Sequence, residues 1–122
     1  MFSISVPPYI DPTASSQDNI TVVENQQLII NCPISGVPLP NITWYKDGDI
    51  ISPDSHVTIT FNGRRLSVKD TRVDNSGYYR CVGENVAGNM EKIFSVKVHG
   101  KKIYLIVLYV FMIENIHEEF QY

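Results

Sequence analysis

The sequence predicts an all-β protein, a two-sheet antiparallel sandwich, on three observations. Short apolar/polar alternations of period two recur through the middle of the chain. Turn-forming residues punctuate them at short intervals. Two cysteines, Cys32 and Cys81, fall on the inward phase of their alternations. Strand-rich chains with this spacing bury their apolar faces by stacking two sheets.

The alternations run in order. Ile20 and Val22 form the first, Leu28, Ile30 and Cys32 the second, Ile42 and Trp44 the third. Val57 with Ile59, Leu66 with Val68, Tyr79 with Cys81, and Phe94, Val96 and Val98 complete the set. The separating turns are Gly36-Val37-Pro38-Leu39-Pro40, Asp47-Gly48-Asp49, Ser52-Pro53-Asp54, Asn62-Gly63 and Ala87-Gly88-Asn89. Asn-Gly between two alternating runs predicts a hairpin, because both residues tolerate positive φ. No stretch before residue 100 sustains helical spacing over three turns.

Composition bounds the function. With 122 residues there is room for one domain, and 43% hydrophobic against 19% charged matches a soluble globular chain. A net charge of −3 excludes the broad basic face that binding a nucleic-acid backbone requires. No GxSxG, HExxH, CxxC or P-loop pattern occurs. His56, His99 and His117 are scattered, so no metal and no cofactor is expected. Asp47, Asp49 and Asp54 gather around one turn, where solvated turn residues explain them better than a calcium loop. The protein is expected not to be an enzyme.

Cys32 and Cys81, with Trp44 between them, favour a bridge across the sandwich with the indole beside it. Two buried free thiols are the alternative. Closing a loop of this length stabilises a fold by about 4 kcal/mol in the chain-entropy model. Tyr79, two residues before Cys81, stands where a tyrosine corner would hydrogen-bond nearby backbone. Leu66 joins Trp44 and Tyr79 as core signature residues. Two Asn-x-Thr sequons, Asn19-Ile20-Thr21 and Asn41-Ile42-Thr43, have their asparagines outward if the isoleucines point in, and predict glycosylation in an oxidising compartment.

The stretch Gly36-Val-Pro-Leu-Pro-Asn-Ile-Thr-Trp44-Tyr-Lys-Asp-Gly48 resembles the B–C region of immunoglobulin I-set domains. Asp74-Asn-Ser-Gly-Tyr-Tyr79-Arg-Cys81-Val-Gly-Glu-Asn85-Val-Ala-Gly88 resembles their E–F corner, F strand and F–G turn. Within the I-set the likeness is nearest to hemicentin-type repeats, from the Pro7-Pro8 entry through Asn19–Asn25 to Lys92–His99. The resemblance implies an immunoglobulin-like Greek-key sandwich over residues 6–99, after an N-terminal stub at 1–5. It departs from the family at Asn75, where an acidic residue usually stands, and this puts the usual ion pair of that corner in doubt. Asn75 keeps the means for a local side-chain-to-backbone bond.

The resemblance implies a non-catalytic extracellular binding or spacer module, one repeat of a larger secreted matrix or adhesion protein. A cell-surface adhesion or guidance receptor and a cytoplasmic titin-like repeat are the alternatives. Its partners would be other proteins: neighbouring repeats, or homophilic or heterophilic adhesion partners. Membrane attachment would come only through sequence absent here. Tyr45, Tyr78, Arg80 and Val82 are the candidate contact residues, since Tyr and Arg are enriched at interface hot spots.

The ends differ from the middle. Met1–Val6 carries no basic residue and meets Pro7-Pro8 at once, unlike a secretory signal. Ile103–Ile113 is an unbroken apolar run that spans about 16 Å as a helix, short of the roughly 30 Å of bilayer hydrocarbon. An added buried element or a membrane-surface segment would account for it. The preferred expectation is that 100–122 is not part of the domain and is translated intron, since Gly100-Lys101 can be encoded across a splice donor. Transcript reads crossing this junction unspliced in mature message would sink that idea.

Overall fold

The computed structural model describes residues 3–119. Ten strands precede a C-terminal helix: β1 (Val6–Ile10), β2 (Asn19–Val23), β3 (Leu28–Asn31), β4 (Ile34–Val37), β5 (Asn41–Lys46), β6 (Asp49–Ile50), β7 (Val57–Thr60), β8 (Arg65–Val68), β9 (Gly77–Asn85) and β10 (Gly88–His99). A single 3-10 turn, Val73–Asn75, lies between β8 and β9, and α1 (Lys101–Glu119) follows β10. One sheet runs β2-β10-β9-β5-β6, the other β3-β8-β7, and β1 pairs with β4 at the side. The β2–β10 pairing is parallel, from Asn19 against Ser95 to Val23 against His99, whereas β9 is antiparallel to both β5 and β10.

Period-two alternation puts one residue in two between the sheets. Leu28, Ile30, Ile34, Leu66, Cys81 and Phe94 are fully buried there, with Trp44, Tyr79 and Val98 nearly so. Cys32 and Cys81 are joined in a disulfide, with Cα atoms 6.1 Å apart. Trp44 pairs directly with Cys81 across β5 and β9, and its ring centroid lies 6.0 Å from that of Phe94. Its indole Nε1 donates to the Gly63 carbonyl at 2.7 Å, so the one polar atom of the ring is satisfied. Gly83 faces inward on β9, where a Cβ would come within 2.6 Å of the Ile34 side chain. Only glycine allows β9 and β4 that approach.

The turns differ in detail from the sequence expectation. Asp47-Gly48 forms the tight two-residue hairpin, flanked by the Lys46–Asp49 pair and with φ of 47° and 91°. Asn62-Gly63 does take positive φ, but Phe61 joins it, and the loop between the Thr60–Arg65 pair is longer than the dipeptide. Gly36 and Val37 belong to β4 instead of the following turn, because β1 supplies them with a pairing partner. Gly88 and Asn89 likewise fall within β10, leaving Val86-Ala87 as the link.

Asn85 closes this end of the sandwich. Its Nδ2 donates to the carbonyls of Val6 at 2.9 Å and Pro38 at 3.0 Å, while its Oδ1 accepts the Ala87 N–H at 2.9 Å. One amide thereby ties β1, the β4–β5 loop and the β9–β10 turn. Asn85→Ala should cost about 1–3 kcal/mol, since it strips several backbone groups of their partner. Hydrogen exchange should rise in β1 well before it rises in β9.

Tyr79 forms the corner at the opposite end, its hydroxyl donating to the Asn75 carbonyl at 2.6 Å. Asn75 itself accepts the Arg72 N–H on Oδ1 at 2.7 Å, a local bond in place of a charge pair. None of the ion pairs among the described residues (Lys46–Asp47, Arg80–Glu91 and Lys92–Asp18) involves Asn75, although Lys46 also reaches this corner by donating to the Asp74 carbonyl at 2.9 Å. Burial first, and the Asp47 charge second, push the Tyr79 phenol up to about 12. An unfolded tyrosine loses its proton near 10. The phenol's contribution to stability is thus fully present below pH about 10 and is lost as pH climbs toward about 12. Tyr79→Phe should remove that alkaline loss while costing about 1 kcal/mol at neutral pH for the missing hydrogen bond. Melts at pH 7 and pH 11 read both effects.

Helix α1 has no comparable packing. Every residue from Lys101 to Ile116 is exposed, Ile103–Ile113 included, so the run is not an added buried element. No helix among the described residues is long and apolar enough to cross a membrane.

Candidate binding face

The outward side of the five-stranded sheet can be read row by row from the register. Asn41, Glu84 and Asn89 form one row across β5, β9 and β10; Thr43, Val82 and Glu91 the next; Tyr45, Arg80 and Ile93 the third. Tyr78 and Ser95 follow, and the parallel pairing adds Asn19 beside Ser95. The four candidate contact residues, Tyr45, Tyr78, Arg80 and Val82, are therefore brought together on one face.

Their surroundings are not uniform. The Arg80 guanidinium lies 4.5 Å above the centre of the Tyr45 ring and contacts the Glu91 carboxylate at 2.9 Å. Stacking and ion pairing hold it flat on the sheet. Tyr45 and Val82 are half-buried, whereas Tyr78 is 64% exposed and Ile93 53%. Glu91 and Ile93 complete this patch. Sequence reasoning passed over Glu91 because its role depends on the β9–β10 register, which pairs it with Val82 and so places it diagonal to Arg80.

An open cleft of about 620 Å³ adjoins the face where the β4–β5 loop meets the β9–β10 turn. Pro38, Leu39 and Val86 line one part of it, and Asn41, Thr43, Tyr45 and Val82 another. Both sequon asparagines, Asn19 and Asn41, are exposed, while Ile20 and Ile42 pack against the core.

Two of the three candidate calcium residues, Asp47 and Asp54, already accept backbone hydrogen bonds. Asp47 Oδ1 accepts the Tyr78 N–H at 2.9 Å. Asp54 Oδ1 accepts those of His56 and Val57 at 2.7 and 2.8 Å, bonds that hold its carboxyl below the usual range. Among the described residues no group of three or more His, Cys, Asp or Glu side chains converges. The side chain of His117 lies outside the described ones.

Two facing sheets with this strand order, a bridge through their centre, an indole against it and a tyrosine corner define an immunoglobulin-type domain. Residues 13–98 match the family described as Immunoglobulin I-set domain, and the chain belongs to that family. It is similar to hemicentin-1 of Homo sapiens, 42% identical over 96 residues, which cover 79% of this chain and 2% of that protein. It is also similar to the netrin receptor DCC of Homo sapiens, 30% identical over 89 residues, covering 73% of this chain and 6% of the receptor. Among solved structures, the Sidekick-1 immunoglobulin domains 1-4 match with a TM-score of 0.69 at 28% identity, covering 79% of this chain and 25% of that one. The chain thus spans a small fraction of the length of its curated relatives. Domains of this family are typically non-catalytic binding modules.

Proposed function

We propose that this domain is a non-catalytic protein–protein binding and spacer module of an extracellular, hemicentin-like matrix or adhesion protein. The observation that carries the reading is the Cys32–Cys81 disulfide in a chain 42% identical to hemicentin-1 over 96 residues. A bridge of this kind persists in oxidising compartments, and the exposed sequons at Asn19 and Asn41 fit the same route. Contact with partners runs through the Tyr45, Tyr78, Arg80 and Val82 face, where rigid aromatics flank a stacked arginine. The similarity to DCC supports a second reading, an ectodomain repeat of a cell-surface guidance receptor. Residues 100–122 stand outside the module in either reading, since the family match ends at residue 98 and α1 is exposed from Lys101 to Ile116.

Protein secreted from animal cells tests this. Beads coated with the chain should aggregate or adhere to deposited extracellular matrix. Tyr78→Ala combined with Arg80→Ala should weaken that contact about 10-fold or more while leaving the melting curve near wild type. Native protein with free thiols and bare sequons would instead move it to a cytoplasmic titin-like role.

A further inference from the structure

We propose that the cleft beside Asn41 seats the first sugars of an N-linked glycan carried by Asn41 itself. The inference rests on the extracellular reading above and deepens it. Asn41 opens β5 and is exposed, and Ile42 turns inward against the core, so Asn41 and Thr43 share the outward face. Asn41 is therefore itself part of the cleft's lining.

The lining suits a sugar. Leu39 is 47% and Val86 86% exposed in the same cleft, and the core explains neither. An N-acetylglucosamine offers a methyl group and C–H ring faces to such side chains, and hydroxyl groups to the neighbouring Glu84 carboxylate. Attachment forms a bond from Asn41 Nδ2 to C1 of the sugar. The donor is a lipid-linked oligosaccharide diphosphate, whose diphosphate leaves with the electrons of the broken C–O bond as the amide gives up one proton.

Asn19 supplies an internal contrast. It lies on the same face at the diagonally opposite corner, about 25 Å away by strand rise and strand spacing. It does not line the cleft. A glycan there stands free, whereas the one at Asn41 packs. The glycan at Asn41 narrows the Val82 end of the contact face and the one at Asn19 stands at its Ser95 end, so the two bracket a bare strip around Tyr78, Arg80 and Ile93.

The test uses the full chain secreted from glycosylating cells and trimmed to one N-acetylglucosamine per site. Intact mass reads occupancy, and thermal melting reads packing. Asn41→Gln and Thr43→Ala should each lower Tm by about 4 °C or more relative to trimmed wild type, whereas Asn19→Gln should leave it within about 1 °C. Val86→Ser should lower Tm in the glycosylated protein and leave the Asn41→Gln protein unchanged. Occupancy at Asn19 with Asn41 bare, or a Val86→Ser effect that ignores the sugar, overturns the cleft assignment and leaves the extracellular reading standing. Bare asparagines at both sites overturn the two together.

Discussion

Replacing Cys32 and Cys81 together by alanine should remove about 4 kcal/mol of stability, and adding reductant to the intact protein should do the same. The bridge closes a separation of 49 residues, which restricts the unfolded chain far more than a local crosslink would. Small domains have about 5–15 kcal/mol in total, so the loss is a large share of the whole. Urea unfolding with and without reductant checks it. Coincident midpoints for the oxidised wild type and the double variant would contradict the role assigned to the bridge.

Trp44→Ala should cost about 3–5 kcal/mol, the usual range for deleting a large buried aromatic. Two effects add. The indole fills the space between the disulfide and Phe94, and its Nε1 satisfies the Gly63 carbonyl. Trp44→Phe separates them, because it keeps a ring in the core but leaves that carbonyl without its donor. Its cost should be about 1–3 kcal/mol. Trp44 is the chain's single tryptophan, so unfolding of these variants is best followed by circular dichroism. Equal losses for Ala and Phe would place the whole effect on the hydrogen bond and none on the packing.

The parts of the fold legible in the sequence are those whose signal is local and periodic. The runs at Leu28–Cys32, Leu66–Val68 and Phe94–Val98 alternate strictly because each has one wet and one dry face. Cys32, Trp44, Tyr79 and Cys81 stand out because they meet in one place. β1 gave no such sign. Pro7 and Pro8 interrupt it, and it exists through pairing with a distant partner, β4. The same pairing extended β4 over Gly36 and Val37, which read locally as turn. The short 3-10 turn at Val73–Asn75 depends on the Tyr79 and Arg72 hydrogen bonds and has no periodicity of its own.

The candidate binding face was legible as a set of positions but not as chemistry. Alternation alone put Tyr45, Tyr78, Arg80 and Val82 on one side. That Arg80 lies over Tyr45 and grips Glu91 depends on cross-strand register, which a single sequence does not specify. The cleft at Asn41 depends likewise on two loops meeting, with Asn85 bonded to both. Helix α1 is the reverse case, since its apolar run was visible at once while its exposure required the structure.

The parallel alignment of β2 with β10 has a mechanical consequence. Tension applied through the two ends of the sandwich first loads β1 on its pairing with β4, and once β1 is free pulls β2 from its start and β10 from its finish, in opposite directions. The rungs from Asn19–Ser95 to Val23–His99 are then loaded in shear, all at once, instead of being unzipped one by one. Should that clamp yield, the covalent loop from Cys32 to Cys81 still holds its 49-residue span closed. Only the chain outside it can then pay out, at no more than about 3.6 Å per residue. A domain built this way behaves as a stiff link with a short, fixed reserve of length.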